Sequence, residues 1–134
     1  MSVGYRLASK PDDYRKAQAL MKAEGVPKQE LGFPTILAIE DKRAVGMIST
    51  NIQDDMVVAG PLVVRSDRRR VMTAIRMVEM YEMALRGMGL ATFIFHVDEG
   101  TFLARVIKRY GDKYQPYAVE GTRKFFVRRL TNGR

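Results

Sequence analysis

The run Thr92-Phe93-Ile94-Phe95-His96-Val97 is apolar at almost every position. A strand with one wet face alternates apolar and polar residues; this one offers water no face, so it must lie inside a sheet covered on both sides. That demand points to an α/β domain with helices packed over a central sheet. The longest helix is expected at Arg68 to Leu85, where Val71, Ile75 and Val78 with Met77, Tyr81 and Leu85 build a broad apolar face. Ser66 or Asp67 can cap it, and Gly87-Met88-Gly89 ends it. Five of the nine methionines fall between Met72 and Met88, where they read as an adaptable core face. Phe102 to Tyr110 reads as another helix, closed by Gly111.

The remaining elements follow from turn chemistry. Tyr5 to Ala8 is a short strand, and Ser9-Lys10-Pro11-Asp12-Asp13 is a helix start with carboxylates at the positive end of the dipole. The helix continues over Tyr14 to Glu24 and stops at Gly25; Val26 to Pro34 reads as a loop with room for one helical turn. Thr35 to Glu40 and Ala44 to Ile52 form a hairpin, followed by a strand from Met56 to Val64 that Gly60-Pro61 must bulge or kink. Gln115 to Val119 and Arg123 to Leu130 make a last hairpin. The order is β-α-β-β-β-α-β-α-β-β. No repeat or linker divides the 134 residues, so residues 1–134 are expected to form one domain.

Composition removes several chemistries. With no cysteine and one histidine, His96, there is neither a Cys-based nor a multi-His metal site, and a Cys nucleophile is excluded. No G-x-S-x-G elbow is present. No apolar run approaches a membrane span, and the first residues lack the apolar stretch of a secretory signal, so a cytoplasmic protein without a membrane partner is expected. The formal net charge of +8 suits a polyanionic partner such as nucleic acid or an anionic cofactor. Tyr110, Tyr114 and Tyr117 among Arg105, Lys108, Arg109 and Lys113 read either as stacking and phosphate contacts or as the edge of the core.

The element order is similar to the GCN5-related N-acetyltransferase (GNAT) fold over nearly the whole chain. Leu37 to Gly46 resembles the central hairpin of that family, and Thr101 to Gly111 resembles the segment after its central strand. Leu62 to Ala74 resembles its strand-to-helix cofactor segment, whose pattern is Arg or Gln, two residues, Gly, one residue, then Gly or Ala. Arg69 and Ala74 match its ends, whereas Met72 stands where the first glycine belongs. The resemblance implies a mixed, mostly antiparallel sheet of about seven strands flanked by helices. It also implies acetyl-CoA as cofactor, an amine as acceptor, and Val64, Arg68, Arg69, Arg70, Val71, Met72, Thr73 and Ala74 as the cofactor-binding set.

The chemistry of that segment is anion binding by helix N-terminal amides, with glycine admitting the phosphates closely. A methionine at that glycine's place must either block the approach or turn inward and pack. The run Arg68-Arg69-Arg70 opposes the helix dipole, a placement that suits an anion. For catalysis, His96 is a candidate base, sharing a strand face with Asp98, and a backbone N–H near Val64 is a candidate oxyanion donor. The family's acid is a tyrosine four residues before the glycine that ends its last helix. Counting back from Gly111 gives Ile107, which leaves the adjacent Tyr110 as the candidate. Glu40 and Glu99 read as solvated turn residues. Two functions stay open: an acetyl-CoA-dependent N-acyltransferase, or a protein of the same fold without the chemistry, working in a protein assembly such as a bacteriophage virion or on DNA. Homo-oligomerisation is compatible with either.

Overall fold

The computed structural model describes residues 3–66, 70–98, 104 and 114–130. Its elements are β1 (Gly4–Leu7), α1 (Pro11–Ala23), β2 (Ile36–Glu40), β3 (Arg43–Gln53), β4 (Met56–Val64), α2 (Arg70–Gly87), β5 (Thr92–Asp98), β6 (Tyr114–Glu120) and β7 (Arg123–Arg129). The expected helix over Phe102 to Tyr110 lies outside the described residues except for Ala104, which packs against the core. The seven strands form one sheet in the order β1-β2-β3-β4-β5-β7-β6. Every neighbouring pair is antiparallel except β4 and β5, which α2 joins in parallel. This is the mixed, mostly antiparallel sheet flanked by helices that the sequence led us to expect.

The start of α1 shows how local chemistry sets a boundary. Pro11 opens the first turn, and Asp13, two residues on, turns its carboxylate back to the chain entry. One oxygen accepts the N–H groups of Ser9 (2.9 Å) and Lys10 (3.2 Å), and the other pairs with Arg6 of β1. The Ser9 amide contributes most to holding this buried carboxyl below its ordinary range. Burial opposes it, and the Lys10 amide and the Arg6 guanidinium add to it. A carboxyl depressed in the folded state contributes stability that is complete above its unfolded pKa of 3.8 and lost as pH falls through the folded value. Asp13→Asn is therefore expected to cost about 1 kcal/mol at neutral pH. The same variant should flatten the loss of stability on acidification, which urea unfolding at a series of pH values will read.

Each face of the sheet carries one described helix. On one side Ala17, Leu20 and Met21 of α1 pack on Leu37, Met47 and Val63. On the other, Ala74, Met77, Tyr81 and Leu85 of α2 cover Ile36, Ile48, Val64, Phe93 and Phe95. Gly46 of β3 sets how closely α2 sits. A Cβ there would stand 2.9 Å from Met77 Cε and 3.0 Å from Thr73 Cγ2, so a larger residue would make the Met77 tip move and crowd Thr73 where the helix start meets the strand. The far end of α2 closes on a hydrogen-bonded stop: Leu90 N–H reaches Leu85 O (3.0 Å), Gly89 N–H reaches Arg86 O (2.9 Å), and Gly89 takes φ +80°.

Three expectations change. The segment from Val26 to Pro34 forms no helical turn. It lies along β3 instead, with Gly32 N–H on Thr50 O (2.9 Å) and Thr50 Oγ1 on Pro34 O (2.8 Å). The Thr50 hydroxyl also meets Tyr81 (2.7 Å), whose burial pushes its phenol up to about 12. The methionines from Met72 to Met88 do not share one core face: Met77 is fully buried and Met80 packs beside it, while Met72, Met83 and Met88 are exposed. Glu40 is buried at the end of β2 rather than solvated. Glu99 lies outside the described residues.

The C-terminal hairpin is tied to α2 by charge. Glu82 accepts Arg128 Nε on Oε2 and Arg128 Nη2 on Oε1, both at 3.0 Å, and Tyr114 donates its hydroxyl to Oε2 at 3.2 Å. Burial, then the Glu82 carboxylate, holds the Tyr114 phenol well above its ordinary range, so it remains a donor. Tyr114 is thus a structural donor and unavailable for stacking on a base; Tyr117, three residues on, is exposed. Tyr110, Arg105, Lys108, Arg109 and Lys113 lie outside the described residues.

Candidate active site

The parallel pair β4 and β5 is joined over two register positions only, Val58 with Ile94 and Ala59 with Phe95. Beyond them the strands part, although β4 runs to Val64 and β5 to Asp98. The cause lies in β4. Between the Ile48–Leu62 and Thr50–Ala59 pairs, Gly60 and Pro61 together stand opposite Ser49. This is a bulge, which bends the strand that carries it. Gly60 takes φ +146°, open only to glycine in practice, and Pro61 has no N–H to offer a neighbour. The kink expected at Gly60-Pro61 is therefore the point where β4 leaves β5.

What β4 presents to the gap follows from its pairing with β3. Arg65 N–H donates to Val45 O at 2.9 Å, across the Val64–Gly46 pair. In an antiparallel ladder this makes Val64 and Gly46 a pair that exchanges no hydrogen bonds, so Val64 N–H points away from β3, toward the β5 side. Leu62, two residues earlier in the same register, points its N–H the same way. Two backbone donors thus face the opening between the strands. Leu62 is a group that residue type cannot reveal; the two-residue spacing from Val64 is the only trace of it in the sequence.

The helix that follows stands at the head of this gap. Val64 pairs with Gly46, and Gly46 is the glycine against which Thr73 and Met77 pack, so strand end and helix start adjoin one residue. Arg68 and Arg69 lie outside the described residues, and Arg70 opens α2. Val71 is half-buried, Thr73 buried, and Ala74 fully buried on the sheet. Met72 is 50% exposed: it turns outward and does not pack into the core, which removes one of the two outcomes expected for it. The first four N–H groups of a helix have no partner within it, and they carry the positive end of its dipole. The described part of α2 opens with Arg70, Val71, Met72 and Thr73.

On the other wall, His96 is the first residue of β5 past its last β4 partner. Alternation puts it on the face away from α2, since Phe93, Phe95 and Val97 belong to the α2 side. It is half-buried, with its ring 5.5 Å from that of Phe125, its register partner on β7. Tyr110 lies outside the described residues. Among the described residues no group of three acidic, His or Cys side chains could hold a metal ion, and no helix is long and apolar enough to cross a membrane.

No protein-family model and no curated protein sequence matches the chain. Solved structures do. An acetyltransferase of the GNAT family from Staphylococcus aureus superposes with a TM-score of 0.73 over 97% of this chain and 100% of its own, at 11% identity. The fold is that of the GNAT acetyltransferases. The PaiA N-acetyltransferase from Thermoplasma acidophilum, solved in complex with coenzyme A, matches with a TM-score of 0.73 over 96% of this chain and 99% of its own, at 12% identity. Diaminobutyrate acetyltransferase from Paenibacillus lautus, solved with L-2,4-diaminobutyric acid and coenzyme A, matches at 0.71 over 96% and 95%, with 16% identity. The GNAT likeness thus spans the chain at identities that carry architecture alone.

Proposed function

We propose that the chain is an acetyl-CoA-dependent N-acyltransferase, acting on a primary amine in the gap between β4 and β5. The observation that carries this reading is the parting of those strands beside the described start of α2. The residues present fit the cofactor. Backbone amides at the start of α2 suit its diphosphate, and Ala74 and Thr73 seat the helix close to the sheet, while the outward Met72 narrows the approach that a glycine would leave open. Bound acetyl-CoA supplies an acyl thioester whose carbonyl carbon an unprotonated amine can attack. Val64 N–H, with Leu62 N–H beside it, holds the negative charge that develops on the carbonyl oxygen. His96 accepts the proton of the amine, and Tyr110 or water returns one to the departing sulfur. The run Arg68-Arg69-Arg70 adds positive charge where Met72 has replaced the space a glycine leaves.

Coenzyme A is expected to raise the melting temperature. At a concentration 100 times its dissociation constant a ligand of the folded state adds about 2.7 kcal/mol, or roughly 10 °C for a domain of this size. Differential scanning fluorimetry with increasing coenzyme A checks it, and an unchanged melting curve at millimolar concentration removes the reading. The second reading, the same fold kept as a binding or structural module, is favoured by Met72 at the glycine position and Ile107 at the tyrosine position. It predicts an unchanged melt together with association into a larger assembly, or with DNA in a steeply salt-dependent way.

A further inference from the structure

Away from the strand gap, α1 and the chain that follows it enclose a groove of about 980 Å³. Its floor is apolar, built from Tyr14, Met21 and Val26, and its rim carries Arg15, Lys22 and Lys28. Among the described residues no acidic side chain lines it, and Asp12, beside the rim, pairs with Lys16 (2.8 Å) and Arg15 (3.5 Å) on the exposed side of α1. Gln18 lies between floor and rim. Its Nε2 donates to Gln29 O at 2.9 Å, which fixes which way the amide faces, and leaves Oε1 buried with no hydrogen-bond partner. An unmatched buried acceptor costs free energy.

We propose that this groove docks an acidic amphipathic helix of a partner protein. It runs along α1 from Pro11 to Lys22, about 16 Å at the rise of a helix. Roughly three turns of a second helix match that length. The floor takes the apolar face of the occupant, and the rim pairs with glutamates or aspartates at its edges. An extended peptide is disfavoured because no open edge of a described strand lines the groove, so there is no ladder for it to join. The proposal does not depend on acyl transfer, and a chain that fails to bind coenzyme A can still bind this partner.

The test uses the full chain and a fluorescein-labelled peptide of about 14 residues, with leucines at i, i+3, i+4 and i+7 and glutamates elsewhere. Anisotropy is expected to give a dissociation constant on the order of 10 µM at low salt. The same peptide with lysine for every glutamate should not bind. The exposed pair Lys22→Glu and Lys28→Glu should weaken binding roughly tenfold with an unchanged melting temperature. Equal affinity for the two peptides, or an affinity indifferent to the double reversal, overturns the proposal. So does binding to phosphatidylserine vesicles without binding to the glutamate peptide, which would make the groove a membrane contact.

Discussion

Arg128→Ala is expected to lower folding stability by about 3 kcal/mol, because it strands a buried carboxylate. The Glu82 and Arg128 side chains are 10% and 13% exposed, and the guanidinium meets both carboxylate oxygens. Removing the cation leaves Glu82 with the Tyr114 hydroxyl and the more distant Arg86 guanidinium, 4.0 Å away. In a small domain holding some 5–15 kcal/mol in all, a loss of that size is large. The effect reaches the candidate site: β7 carries Arg128 and pairs with β5 from Thr92 to Asp98, so loosening it loosens one wall of the gap. Urea unfolding will measure the loss. The pair Glu82→Leu with Arg128→Met, which removes both charges, should recover most of it. A cost for Arg128→Ala below about 1 kcal/mol would show that the pair behaves as a surface ion pair.

Val64→Pro is expected to lower kcat by about a hundredfold or more, the usual cost of losing one oxyanion donor. The substitution is selective because Val64 N–H takes no part in the β3 ladder. Stability should fall by about 2–3 kcal/mol, from the change in backbone preference and the lost packing of the buried Val64 side chain. Val63→Pro is the control. Val63 donates to the β3 side in the same register, so proline there should cost far more stability. Acetyl-CoA turnover with a panel of primary amines and peptide N-termini, read beside thermal melts, separates the two. Undiminished turnover in a folded Val64→Pro variant would move the oxyanion donor elsewhere.

Most of the architecture was legible because its signals are local. Pro11 with Asp12 and Asp13 marks the α1 start, Gly89 the α2 stop, and Gly60-Pro61 the break in β4, and each lies where the residue types require. The long-range consequences were less legible. Gly60-Pro61 announces a kink, but only the pairing shows that the kink separates β4 from β5 after two rungs. Glu82 carried a readable sign: with Val78, Tyr81 and Leu85 it falls on the apolar stripe of α2, where an unpaired acid would not be tolerated. Its partner Arg128, 46 residues on, has no local mark. Methionine placement misled for a related reason. Helical spacing makes Met72, Met77, Met80, Met83 and Met88 a series, yet the sheet covers only the side bearing Met77 and Met80. Of the candidate site, Val64 and the helix start were named from the motif likeness. The direction of the Val64 N–H had to come from the register with Gly46.

Backbone amide resonances followed during a coenzyme A titration put the most direct question to this arrangement. The account predicts that the largest shifts cluster at Leu62, Val64 and Arg70 to Thr73, the donors facing the gap and capping it. Shifts confined to other parts of the surface, or none at millimolar coenzyme A, would contradict it.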